Sequence, residues 1–140
     1  MKYVTLILVS VFLFSFPCQS QTESIYDPYY YEHSIVRLGL QIDEHGQVEG
    51  ENTSFSLNGK PLEIFILVEQ DKSLMLKKLV VEIYDEQVTK KIDSFVANVA
   101  DPNWSWVKIS YVFLKPGKYF IDMYNEEDTY VNTAYLTITE

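Results

Sequence analysis

The chain has 140 residues, 47% of them hydrophobic, and its 20 acidic residues outnumber 11 basic ones for a formal charge of −9. A surface that acidic repels phosphate backbones and anionic lipid, which argues against nucleic-acid binding and against electrostatic membrane docking. The single cysteine excludes an internal disulfide, so the fold must be held by its core.

The N-terminus reads as a signal peptide. Lys2 precedes an apolar run from Tyr3 to Pro17, and Cys18-Gln19-Ser20 leads into the polar Gln21-Thr22-Glu23-Ser24. The run Val4 to Phe14 is shorter than the roughly 20 apolar residues of a membrane span. No second run of that length follows, so no transmembrane helix is expected in the mature chain. Cleavage after Ser20 places Cys18 and Ser20 at the small-residue positions and leaves Gln21 first. The rival reading acylates Cys18 as a lipid anchor, although Pro17 is a poor residue directly before it. Both readings export the protein. The expected location is periplasmic or secreted, or else the outer membrane as a lipoprotein. A cysteine-free mature domain fits a bacterial exported protein best. Loss of Lys2 takes its formal charge from −9 to −10.

Residues 21–34 are expected to form an irregular arm, with Tyr26-Asp27-Pro28-Tyr29-Tyr30-Tyr31 at its centre. Its tyrosines either pack the arm onto the domain or present a contact surface, and three adjacent residues cannot all face one way.

Residues 35–140 alternate. Val36, Leu38, Leu40 and Ile42 share one strand face, with Arg37, Gly39 and Gln41 opposite. Asp43-Glu44-His45-Gly46 is turn chemistry. Asn52-Thr53-Ser54 matches a glycosylation sequon. Phe55 and Leu57 mark a short strand ending at Asn58-Gly59, a hairpin signal. Leu62 to Val68 is apolar on both faces and is expected to be a central strand. Gln70-Asp71-Lys72-Ser73 breaks it, and Leu74 to Lys78 is long enough for a helical turn at most.

Leu79, Val81 and Ile83 point inward in the next strand. Between Thr89 and Val99, Ile92 and Phe95 fall out of strict alternation, which predicts a bulge or loop. After the Asp101-Pro102-Asn103 turn, Val107, Ile109, Tyr111 and Phe113 line one face. Lys115-Pro116-Gly117 turns the chain. Tyr119, Ile121 and Met123 then alternate with Phe120, Asp122 and Tyr124. Beyond the acidic Asn125-Glu126-Glu127-Asp128 turn, Ala134, Leu136 and Ile138 point inward while Thr133, Tyr135 and Thr137 point out. The expectation is an all-β domain, an antiparallel two-sheet sandwich of seven to eight strands following the signal peptide.

The segment Leu114 to Met123 resembles the corner before strand F of immunoglobulin-like and fibronectin type III-like sandwiches. Gly117 and Tyr119 match its Gly-x-Tyr spacing, which implies a tyrosine hydroxyl bonded back to the upstream backbone. Ile121 stands where antibody-type domains carry their second cysteine. Trp104 and Trp106 fall later in the chain than a strand-C tryptophan. The resemblance covers Phe55 to Glu140 in outline and implies an immunoglobulin-like architecture.

Chemistry-bearing patterns are sparse. His33 and His45 sit in the arm and in a turn, outside any nucleophile motif, and no His/Cys spacing suits zinc. No catalytic residue, metal site or cofactor is therefore assigned. Asp122, Glu126, Glu127 and Asp128 are the best acidic cluster, to be weighed as glycosidase carboxylates, as calcium ligands or as a solvated turn. Glu126-Glu127-Asp128 is contiguous rather than alternating and lacks the form of a calcium loop. Trp104-Ser105-Trp106 places two indoles on one strand face about 7 Å apart. Such rings are either core or a platform for sugar rings or a partner's apolar surface.

The expected role is an exported, non-enzymatic binding or interaction module for a protein or glycan outside the cytoplasm. Trp104, Trp106, Tyr124 and Tyr135 are the contact candidates. The alternatives are a structural accessory subunit of an envelope assembly, pairing through an edge strand, and a carboxylate-dependent hydrolase.

Overall fold

Alternating side chains become strand along most of the chain. The computed structural model describes residues 27–87 and 89–140. The expected signal peptide and Cys18 lie outside them. Ten strands and no helix occur among the described residues: β1 (Ile35–Gly39), β2 (Gln41–Ile42), β3 (Val48–Glu49), β4 (Ser54–Ser56), β5 (Leu62–Glu69), β6 (Lys78–Asp85), β7 (Lys90–Asn98), β8 (Trp106–Phe113), β9 (Gly117–Asn125) and β10 (Tyr130–Thr139). The excess over the expected count comes from β2, split from the first strand at Leu40, and β3, each two residues long and too short for alternation to register.

One sheet has the order β1-β5-β8 and a second has β4-β10-β9-β6-β7, while β2 and β3 form a ribbon. Inward residues of both larger sheets meet in one core. Leu38, Ile64, Ile66, Val68, Val107, Ile109 and Phe113 come from the first, and Leu79, Val81, Ile83, Ile121, Met123, Leu136 and Ile138 from the second. The central position expected for Leu62 to Val68 is met: β5 pairs on both sides. Pairing is antiparallel throughout, with one correction to the sequence-based expectation: β4 runs parallel to β10, Ser54 opposite Thr137.

The same strand overturns the predicted hairpin. Asn58 and Gly59 do form a tight turn, with φ of 49° and 72° and Lys60 N–H donating to Leu57 O at 3.0 Å. The strands it joins belong to different sheets, so the turn carries the chain across the core. Leu40 is a second correction. The chain bends there, Leu40 N–H bonds to Glu49 O in the ribbon, and the side chain ends half exposed instead of facing inward with Leu38. The helical turn allowed over Leu74 to Lys78 is replaced by irregular chain, with Met75 at φ 53°. Leu74 and Met75 N–H donate to Trp104 O and Pro102 O, which buries Leu74 and Leu76. The irregularity expected around Thr89 to Val99 falls in the β6–β7 ladder, which slips between Ile83 and Tyr84.

The arm divides its tyrosines. Tyr31 is buried in the core and donates to Leu74 O at 3.0 Å; Tyr30 donates to Ser73 O, and Tyr29 stays exposed. Desolvation pushes the Tyr31 hydroxyl up to about 12. The Gly-x-Tyr corner forms as its spacing implied. Tyr119 Oη donates to Lys115 O at 2.9 Å, and a Cβ on Gly117 would stand 3.2 Å from that ring, so glycine lets it fold back. Ile121 is fully buried beside it in the core.

Candidate functional site

The four contact candidates fall at two separate places. Trp104 lies in the loop before β8 and Trp106 is the first residue of β8. Their rings stack with centroids 5.8 Å apart and planes 22° from parallel, so the pair is tighter than two positions on one flat strand would give. Neither belongs to the core: Trp104 is 47% exposed and Trp106 half-buried. They border a cleft of about 780 Å³ whose polar lining includes Glu44, Asn98, Asn103 and Lys108.

The ribbon supplies one wall. Gly46, at φ +76°, brings its backbone onto the Trp106 indole, where an added Cβ would stand 3.3 Å from Cδ2. Asp43 holds that turn by accepting from the backbone of His45 and Gln47, each at 2.8 Å, which keeps its carboxyl below the usual range. Lys108 Nζ donates to Ile42 O at 3.0 Å, tying the ribbon to β8.

Tyr124 and Tyr135 instead lie on the outer face of the five-stranded sheet. The register lays out three rows across β6, β9 and β10. One row holds Tyr84, Phe120 and Tyr135; the next Glu82, Asp122 and Thr133; the third Val80, Tyr124 and Tyr130. Tyr84 and Phe120 stack at 4.7 Å with planes 5° apart, and Tyr135 tilts over Phe120 at 6.3 Å. Tyr124 and Tyr130 meet edge to face at 6.0 Å.

The middle row is acidic and ordered. Glu82 accepts from Lys91 Nζ at 2.8 Å and from Tyr84 Oη at 2.7 Å; these bonds, that to Lys91 foremost, hold its carboxyl below the usual range. The bond to Glu82 in turn raises the Tyr84 hydroxyl to about 12. Asp122 Oδ1 accepts from Thr133 Oγ1 at 2.6 Å, and that hydroxyl also meets Tyr130 Oη at 2.8 Å. Sequence reading missed Tyr84, Phe120, Tyr130 and Glu82 as surface groups. Their signal was available: large aromatics on the polar phase of β6, β9 and β10, where solvent-facing strands usually carry small or charged residues.

The remaining candidates disperse. His33 and His45 are both exposed, His45 beside Glu44 at 3.6 Å. The acidic cluster is broken up, since Asp122 belongs to the sheet face while Glu126 caps the backbone N–H groups of Lys77 and Lys78, each at 3.3 Å. Buried Asn125 organises the turn itself by accepting from Glu127 and Thr129 N–H. Among the described residues no three His, Cys, Asp or Glu side chains group to hold a metal ion. Nor is any helix there long and apolar enough to cross a membrane.

No family model matches the chain, and no curated relative matches it. Solved structures similar to it are all-β domains. The soluble domain of PmoD from Methylocystis sp. ATCC 49242 (Rockwell) is 9% identical, with 75% of this chain and 90% of that one covered at a TM-score of 0.44. The CARDB domain of the PF1109 protein from Pyrococcus furiosus, solved in complex with di-metal ions, is 12% identical, with coverage of 78% and 96% and a TM-score of 0.40.

Proposed function

We propose that this protein is an exported, non-enzymatic binding module with an immunoglobulin-like sandwich, and that it holds a neutral glycan ring in the Trp104–Trp106 cleft. The strand order supports the architecture: β5 and β8 pair as strands B and E do, and β6, β9 and β10 take the order of C, F and G. The Tyr119 corner sits between β8 and β9, where such domains carry theirs.

One observation carries the ligand reading. Trp106 is supported by Gly46 and stacked on Trp104, which leaves an aromatic surface half open above a cleft with amide, carboxylate and ammonium groups at its rim. A pyranose has an apolar face for the indole and hydroxyls for the rim. Asp122, Glu126, Glu127 and Asp128, the carboxylates a hydrolase reading would call on, do not line that cleft.

The test is titration with cello-, chito- and malto-oligosaccharides while tryptophan fluorescence is followed. Saturable change with one of them, and its loss in Trp104→Ala, is the expected result. A flat response to all of them, or shielding of Trp104 from iodide in the free protein, sinks the reading. The structural-subunit alternative rests on β7, a nine-residue strand that among the described residues pairs only with β6. It calls for a fixed protein partner lost on Ser94→Pro, with the sugars inert.

A further inference from the structure

We infer that the open face of the five-stranded sheet docks a protein partner that presents arginine side chains. This surface is distinct from the tryptophan cleft and does not depend on what that cleft holds.

The face alternates in chemistry from row to row. Tyr84, Phe120 and Tyr135 form one aromatic row, Val80, Tyr124 and Tyr130 another, and Glu82 with Asp122 lie between them. Tyr130 is 51% and Tyr135 68% exposed, so the rings are not spent on the core. A guanidinium is the group that suits both elements at once. Its plane stacks on an aromatic ring while its N–H fork reaches a carboxylate, which a lysine ammonium does less well. Asp122 has capacity for it: Thr133 occupies Oδ1, and Oδ2 accepts no hydrogen bond among the described residues. Like carboxylates directly opposite across β6 and β9 repel. Lys91 relieves Glu82 alone, so a cation brought by a partner relieves the pair further.

Charge decides among occupants. A second copy of this chain would bring its own Glu82 and Asp122 against the same row. An anionic lipid surface is repelled by the face and by the net charge of −9 alike. A basic protein surface is complementary to both.

The experiment uses a short fluorescent polyarginine peptide and a polylysine peptide of equal length, followed by anisotropy at physiological salt with the purified protein. The arginine peptide is expected to bind several-fold more tightly than the lysine peptide. Tyr135→Ala and Asp122→Asn should each weaken it by roughly two- to five-fold, the range of one exposed cation–π contact. Both side chains are surface groups, and melting curves confirm that the variants fold. Glu49→Gln, on the ribbon and equal in charge change to Asp122→Asn, should leave binding unaltered. Equal binding of the two peptides, or equal weakening by Glu49→Gln, would mean that bulk charge alone attracts them and would overturn the proposal. So would an absence of binding.

Discussion

Leu67 and Tyr135 both point away from the core on the outer faces of their sheets, yet Leu67 is fully buried and Tyr135 is 68% exposed. The difference lies in what the chain lays over each face. The β2–β3 ribbon lies against β5, and Ile42 is buried with it. It can come that close because Gly39 lacks a side chain: a Cβ there would stand 2.3 Å from Val48 Cγ1. Nothing in the described chain covers the β10-β9-β6 face, and aromatic side chains fill the positions that usually carry small polar groups. Covering a face takes glycine at the landing point. The open face carries rings and charges instead.

Three substitutions sharpen that contrast. Leu67→Ala should cost about 2–5 kcal/mol in urea unfolding, as a core leucine does, although it lies on an outer face. Tyr135→Ala should stay within about 0.5 kcal/mol. Equal costs would erase the distinction between the faces. Gly39→Ala is expected to cost about 1–3 kcal/mol, because its Cβ also meets the Glu49 backbone oxygen at 2.7 Å and the ribbon must lift. Trp106 emission should shift at the same time, since the ribbon turn packs on that ring. Unchanged stability and emission would show that the ribbon does not depend on the glycine.

The smallest effect is on the open face. The folded pKa of Glu82 is depressed below its ordinary 4.5, by Lys91 first and Tyr84 second. A depressed carboxylate stabilises the fold in full above its unfolded value and loses that contribution as pH falls through the folded value. Glu82→Gln should therefore cost about 0.5 kcal/mol at neutral pH. The gap to the natural protein should close in acid, and a gap that persists there would assign the role to packing.

Much of the fold was legible because alternation is a local signal. Leu79, Val81 and Ile83, or Ala134, Leu136 and Ile138, face inward as their spacing says. Gly117 and Tyr119 were legible because their bond closes within a few residues. Leu40 was not, because its fate depends on a bend that lets Glu49 capture its N–H. Asn58-Gly59 specified a turn correctly but could not say which sheet received the next strand. The site was legible only in pieces. Trp104 and Trp106 stood out by adjacency, whereas the rows joining Tyr84 to Phe120 and Tyr135 depend on strand register, which one sequence does not reveal.

The pairing of β4 with β10 sets an order on how this domain can be completed. Ser54 to Ser56 find their partners in Thr137 to Thr139 of β10, more than 80 residues further along the sequence. A polypeptide emerging from the ribosome N-terminus first can assemble β5 with β1 early. Its five-stranded sheet stays unfinished, and the β9 flank stays open, until Tyr130 to Thr139 arrive. Such distant pairing makes folding slow, so the time between first and last strand is when this protein is most exposed to misassembly and proteolysis.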